Sequence, residues 1–176
     1  MAVERILIPI LSALAHPKKV IAIDEKRLTY LDGKTAHILF SVAEAVIGKD
    51  FNEKVPDFIP IIEDYLVYQR RVQREALTQG LLLIENSLAS LVFARRLRGF
   101  SHLSIEDRRR VLDHIRVSRQ QLLRNLYVAF VNIAASAYYA NESNWKEILY
   151  DGVSVDHPEI LSVARWRQSD PRPVEP

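Results

Sequence analysis

Apolar residues recur at helical spacing along most of the chain. Ile38, Leu39, Val42, Ala45 and Val46 mark one face of a helix predicted over Lys34 to Ile47, which stops near Gly48. After the loop KDFNEKVPDF, Pro60 fits a first-turn position. Ile61, Tyr65, Tyr68, Val72 and the run Leu81 to Phe93 then form a stripe reaching about Arg98. Gly80 lies in the middle of that stretch, where it costs about 1 kcal/mol relative to Ala, so a kink or a division into two helices is expected there. Ser104 with Glu106 and Asp107 in the following turn reads as a helix start. From it Ile105, Leu112, Ile115, Leu122, Leu126, Phe130, Ile133 and Ala137 trace a single buried face to Ala140. Asn141 to Asn144 marks a break, and Trp145 to Tyr150 one further turn ended by Asp151-Gly152.

Strand signals are weak. Between Ile61 and His157 there is no proline and glycine occurs only at 80, 99 and 152, while no run alternates with period two between turn clusters. The segment VIAIDEKRLTYLDG has β-branched residues and an Asp-Gly pair, but the helical pattern after it leaves room for a short turn at most. The fold class expected is therefore all-α: a single-domain irregular helical bundle over 1–152. The Pro-containing segment 153–176, ending DPRPVEP, is expected to be an extended C-terminal arm.

Composition narrows what such a bundle can do. A chain of 176 residues, 48% apolar, can bury roughly 70% of its unfolded surface without staples. It has no cysteine, which excludes disulfides, thiolate metal sites and a Cys nucleophile. The five histidines, at 16, 37, 102, 114 and 157, form none of the helical His/Glu spacings that aim two ligands at one metal, which argues against a di-iron bundle. Asp113 and His114 are adjacent and point about 100° apart on a helix, as a surface pair does. Five scattered glycines make no phosphate cradle or dinucleotide fingerprint. No catalytic, cofactor-binding or metal-ligating residue is therefore assigned, and an independent enzyme is disfavoured.

Charge is balanced overall, 24 basic against 22 acidic residues, which does not favour nucleic acid as a partner. Locally it is not balanced: Arg95 to Arg124 holds nine arginines and three acids, a net of +6. That segment reads as a solvated face with intrachain pairs to acids such as Glu63, Asp64, Glu75 and Glu85, as a dock for an acidic protein, or as a nucleic-acid face. The apolar windows Leu81 to Phe93 and Leu126 to Ala140 are shorter than the ~20 residues of a bilayer helix, so no membrane span is expected. The opening MAVERILIPILSALAHP has no basic leader, twin-arginine pair or cleavage site, giving an expectation of a cytoplasmic protein.

Aromatic residues cluster at Tyr138, Tyr139, Trp145 and Tyr150, and Trp166 stands between Arg165 and Arg167 in the arm. Such residues anchor interfaces or pin a last helix to its own bundle. The stretches GFSHLSIEDRRRVLDHI and AYYANESNWKEILYDG resemble the gluconate 2-dehydrogenase subunit 3 family, small non-catalytic subunits of flavoprotein dehydrogenases of the glucose–methanol–choline type. The family's Gly-Phe, Leu, acid-Arg pair, Tyr-Tyr, Trp and Tyr-Asp-Gly match Gly99, Phe100, Leu103, Asp107, Arg108, Tyr138, Tyr139, Trp145, Tyr150, Asp151 and Gly152. HILFSVAEAVIGKDF is similar to the family's early helix, so the likeness covers roughly Thr35 to Gly152.

The resemblance implies a chaperone-like helical subunit bound to a large flavoprotein dehydrogenase, with a cytochrome or other electron-transfer subunit as a further candidate partner. FAD would belong to the large subunit and no cofactor to this chain. Family members usually carry a twin-arginine signal and take the catalytic subunit across the membrane, which makes a periplasmic location within an exported complex the alternative. The partner interface is expected at Tyr138, Tyr139, Trp145, Tyr150, Asp151, Gly152, Arg165, Trp166 and Arg167. The alternative function is a helical regulatory module that binds nucleic acid through its arginine face.

Overall fold

The computed structural model describes residues 12–86 and 99–148. Six α-helices lie wholly among them, α1 (Gly33–Ile47), α2 (Phe51–Lys54), α3 (Phe58–Val67), α4 (Arg71–Glu85), α5 (Ile105–Arg116) and α6 (Gln121–Ala140), and residues 12–14 are helical as well. Three 3-10 turns, Glu25–Arg27, Phe100–His102 and Glu142–Ile148, join them, and there is no strand among the described residues. The all-α expectation holds. The proposed arm 153–176 lies outside the described residues.

Helix α1 is the centre of the bundle. Ten of its fifteen residues are buried, from Thr35 to Ala43 and at Ala45, so it is enclosed on nearly all sides and packs against α4, α5 and α6. The Asp-Gly pair before it works as a helix start. The Asp32 carboxylate accepts from Thr35 N–H at 2.8 Å, and Thr35 Oγ1 accepts from Asp32 N–H at 3.1 Å, closing a capping box. At the other end Gly48 has φ +143°, a backbone region that side chains disfavour, while its N–H reaches Glu44 O at 3.0 Å. The loop expected at 49–58 contains α2, which drops Phe51 beside Phe40 and Phe58 with ring centroids 4.9 to 5.3 Å from Phe51.

Two expectations about helix boundaries need correction. Among the described residues the long stretch beginning at Pro60 divides at Tyr68 to Arg70 and not at Gly80, which lies inside α4, and α4 itself ends at Glu85. Gln69 N–H still reaches back to Leu66 O, whereas Arg70 N–H turns to the Gln73 side chain at 3.0 Å and starts a new helix. Gly80 serves packing: a Cβ there would run into the Leu126 side chain of α6. The predicted continuous face from Ile105 to Ala140 is likewise two helices, separated at Val117 to Gln120, and Leu122 is 71% exposed. Each division lets both halves pack. A straight helix over 58–85 would span about 42 Å against about 22 Å for α1, whereas folded back, α3 and α4 both lie on α1 and α6.

The segment before α1 is fastened by side chains. Glu63 of α3, buried, accepts the N–H groups of Thr29, Tyr30 and Leu31 at 2.9 to 3.3 Å. His37 of α1 takes the Val20 N–H on Nδ1 at 3.4 Å, and burial holds its pKa below the ordinary 6.5.

Candidate partner-binding surface

The first block that carries the family likeness, 99–108, forms a buried junction. Gly99 stands so close to Glu85 at the end of α4 that a Cβ would overlap the carboxylate. Phe100 is fully buried, and Ser101 donates its N–H and hydroxyl to the two Glu85 oxygens at 2.9 and 2.8 Å. The same hydroxyl accepts Lys18 N–H at 2.8 Å, tying the segment before α1 to the junction. Burial raises the Glu85 pKa, and the Ser101 hydrogen bonds, His102 and Arg108 offset part of that rise. The acid-Arg pair separates by direction. Asp107, in the turn capped by Ser104 Oγ at 3.1 Å, holds Arg110 at 2.9 Å. Arg108 points inward to Ser41 O at 2.9 Å, Leu103 O at 3.2 Å and the Glu44 carboxylate at 2.7 Å.

Five of the six described arginines of the run, Arg108, Arg109, Arg110, Arg116 and Arg124, bond within this chain. Arg109 caps the last turn of α1 through Ala45 O at 3.0 Å, Arg116 meets Asp113 at 3.3 Å, and Arg124 donates to the carbonyls of Ser118 and Arg119. The acids expected to pair with the run are engaged elsewhere: Glu63 with backbone, Glu75 with Arg71 at 2.7 Å, and Glu85 with Ser101. Arg95, Arg96 and Arg98 lie outside the described residues.

The second block closes the end of α6. The Tyr138 hydroxyl donates to Glu147, which also meets Lys54 Nζ at 3.0 Å. These bonds, Tyr138 foremost, lower the Glu147 pKa and raise those of Tyr138 and Lys54. Asn141 and Asn144 donate to Lys54 O at 2.8 and 3.1 Å, and Asn144 also to Tyr138 O at 2.9 Å. The Trp145 indole N–H reaches Tyr139 O at 2.7 Å, and the Tyr138 and Tyr139 rings meet edge to face with centroids 5.4 Å apart. Of the anticipated interface residues, Tyr138 is 8% exposed and belongs to the core, Trp145 is half-buried, and Tyr139, 47% exposed, faces outward. Tyr150, Asp151, Gly152, Arg165, Trp166 and Arg167 lie outside the described residues.

A second surface was not legible in the sequence. Between α6 and the α3–α4 corner runs a groove of about 390 Å³. Leu66, Leu77, Leu126 and Ile133 line it beside the amides Gln69, Gln73, Asn125 and Asn132. Leu122 and Tyr65 also line it, and Tyr68 and Val72 of the corner are exposed as well. The signal that would have found it is Leu122, whose place in the helical stripe assigned it to the core.

No group of His and carboxylate side chains suited to a metal ion occurs among the described residues, and no helix among them is long and apolar enough to cross a membrane. Fold and surface define the class: an all-α domain with a buried arginine, Arg108, and an apolar, amide-lined groove. No protein-family model, curated protein or solved structure matches the chain.

Proposed function

We propose that this chain is a non-catalytic small subunit that binds and stabilises a large FAD-dependent dehydrogenase subunit of the glucose–methanol–choline type, acting on alcohols or sugars. The observation that carries the reading is that the residues of the family likeness coincide with the joints of the fold. Gly99 admits Glu85, Phe100 fills the core, Arg108 cross-links α5 to α1, and Tyr138 with Trp145 closes the end of α6. A pattern kept at joints is what a shared fold needs, and the exposed Tyr139 and apolar groove supply surface for a partner. The flavin and the substrate chemistry belong to the large subunit. The nucleic-acid reading draws no comparable support, because Arg108, Arg109, Arg110, Arg116 and Arg124 are engaged within the chain.

Co-expression of the tagged chain with a flavoprotein dehydrogenase encoded beside it tests the proposal. The expected result is co-elution at a fixed ratio, with flavin absorption in the complex and none in the small chain alone. Truncation after Gly152 is expected to weaken the assembly, because Trp166 and its arginines would be lost. A flavoprotein that folds and turns over alone without retaining this chain would sink the reading. Steeply salt-dependent binding of this chain to duplex DNA would favour the alternative.

A further inference from the structure

A cavity of about 590 Å³ lies between the segment before α1 and the start of α3. Phe40, Phe58 and Ile59, all buried, form its floor, and Val20, Ile23 and Leu28 one wall. Four carboxylates line it, those of Asp24, Asp57, Glu63 and Asp64, against the guanidinium of Arg27. Arg27 is drawn to Asp24 at 3.5 Å, and Glu63 is spent on the N–H groups of Thr29, Tyr30 and Leu31. The Asp57 and Asp64 carboxylates have no hydrogen-bond or ion-pair partner among the described residues. The N–H and C=O groups of Ile21, Ala22 and Ile23 likewise bond to no other described residue, which leaves a length of backbone beside the apolar floor open to pairing with an added chain.

We infer that in the free chain this cavity is covered by the chain's own segment Val163 to Arg167, with Trp166 on the apolar floor and Arg165 and Arg167 beside Asp57 and Asp64. The route to it starts at the cavity's rim. Glu147, one residue before Ile148, meets Lys54 Nζ at 3.0 Å, and Asn141 and Asn144 both donate to Lys54 O. Pro56, which lines the cavity, is two positions from Lys54 and so at most about 7 Å from it along the chain. Arg165 is 17 residues past Ile148, about 56 Å of extended chain, which is ample reach. A tether of that kind holds the segment at an effective concentration on the order of mM, so modest contacts suffice to fill the site. The chemistry matches on both counts: Val163, Ala164 and Trp166 are apolar, and two guanidiniums meet two unpaired carboxylates in charge-assisted bonds. Residues 1–11 bring one arginine against one glutamate and offset none of the cavity's charge. The inference concerns the free chain and does not rest on the flavoprotein reading; a large subunit that takes up Trp166 takes it from this cavity.

The test uses the full chain, whose lack of cysteine lets a pair be introduced without competing thiols. Asn52→Cys, at an exposed position that lines the cavity, is combined with Gln168→Cys and treated with a short bismaleimide at low protein concentration. Rapid cross-linking within one chain is expected, slowed about fivefold or more by Asp57→Asn with Asp64→Asn, and slowed by salt. Leu122→Cys with Gln168→Cys, placed at the groove of α6, should react about fivefold or more slowly. A second readout is the emission of Trp166 in a Trp145→Phe variant, which should be blue-shifted and shielded from acrylamide until Asp57 and Asp64 are neutralised. The inference is overturned if the Leu122→Cys pair closes as fast, if Trp166 is quenched like free indole, or if neutralising the two aspartates changes neither readout. It is also overturned if the product joins two chains, which makes a second copy the occupant, or if Ala94→Cys reacts with Asn52→Cys in preference to Gln168→Cys. No flavoprotein is present in these measurements, so their failure leaves the co-expression result standing.

Discussion

Glu85 is a buried carboxylate whose two oxygens accept from one residue, Ser101, and whose charge is opposed by burial. Its folded pKa lies above the ordinary 4.5, so the charged form is disfavoured in the native state. Its contribution to stability is fully present below 4.5 and declines as pH rises through the folded value. Glu85→Gln keeps an acceptor for Ser101 without the charge. At neutral pH it should be as stable as the wild type or more so, with the wild type gaining on it as pH is lowered. Glu85→Ala should lose about 2 kcal/mol or more through unsatisfied Ser101 groups and a cavity. Urea unfolding at several pH values checks both, and a Gln variant as damaged as the Ala variant would contradict the account. Arg108→Met removes the donor for two carbonyls and the partner of Glu44, and should cost about 3 kcal/mol. Adding Glu44→Gln should recover part of that loss. Gly99, Phe100 and Arg108 were legible in sequence as a pattern, but that Arg108 reaches Ser41 O and Glu44 on α1 while Asp107 bonds Arg110 within α5 was not, since the α1 partners lie more than sixty positions away.

Helix existence was legible because burial repeats every three to four residues, and the break between α3 and α4 was missed for a specific reason. The last buried aliphatic residue of α3, Leu66, and the first of α4, Leu77, are eleven apart. Eleven residues are about three whole turns, so the stripe stays in phase across that corner and looks unbroken. Gly80 drew the division because glycine is a poor helix former, but its role is contact with Leu126. Gly80→Ala should therefore be close to neutral, the helix gain of about 1 kcal/mol being offset by displacement of Leu126. In a Leu126→Ala background the same change should stabilise, with a coupling of about 1 kcal/mol in a double-mutant cycle. Additive effects would mean that Gly80 and Leu126 do not meet.

Residues from Ala15 to Tyr138 meet in one hydrophobic cluster around α1, so the bundle should unfold as a unit. Helical circular dichroism and the fluorescence of a Trp166→Phe variant, in which Trp145, tied to Tyr139, is the one tryptophan left, are expected to give coincident urea transitions. A separate early transition in fluorescence would show that the Glu142–Ile148 turn opens by itself. The clasp made by Lys54, Tyr138 and Glu147 joins Lys54 to a residue 93 positions further on, which is why no local pattern announced it.

The sequence by itself determined an all-α chain, its α1 boundaries and the Ser104 helix start, because capping, proline and glycine placement and 3.6-residue periodicity act within a few neighbours. Tertiary structure alone decided where α3 turns into α4 and α5 into α6, which arginines turn inward, and that Leu122 borders a groove. Those outcomes depend on how the halves of each predicted helix share the faces of α1 and α6, and that packing brings together residues that no local pattern relates.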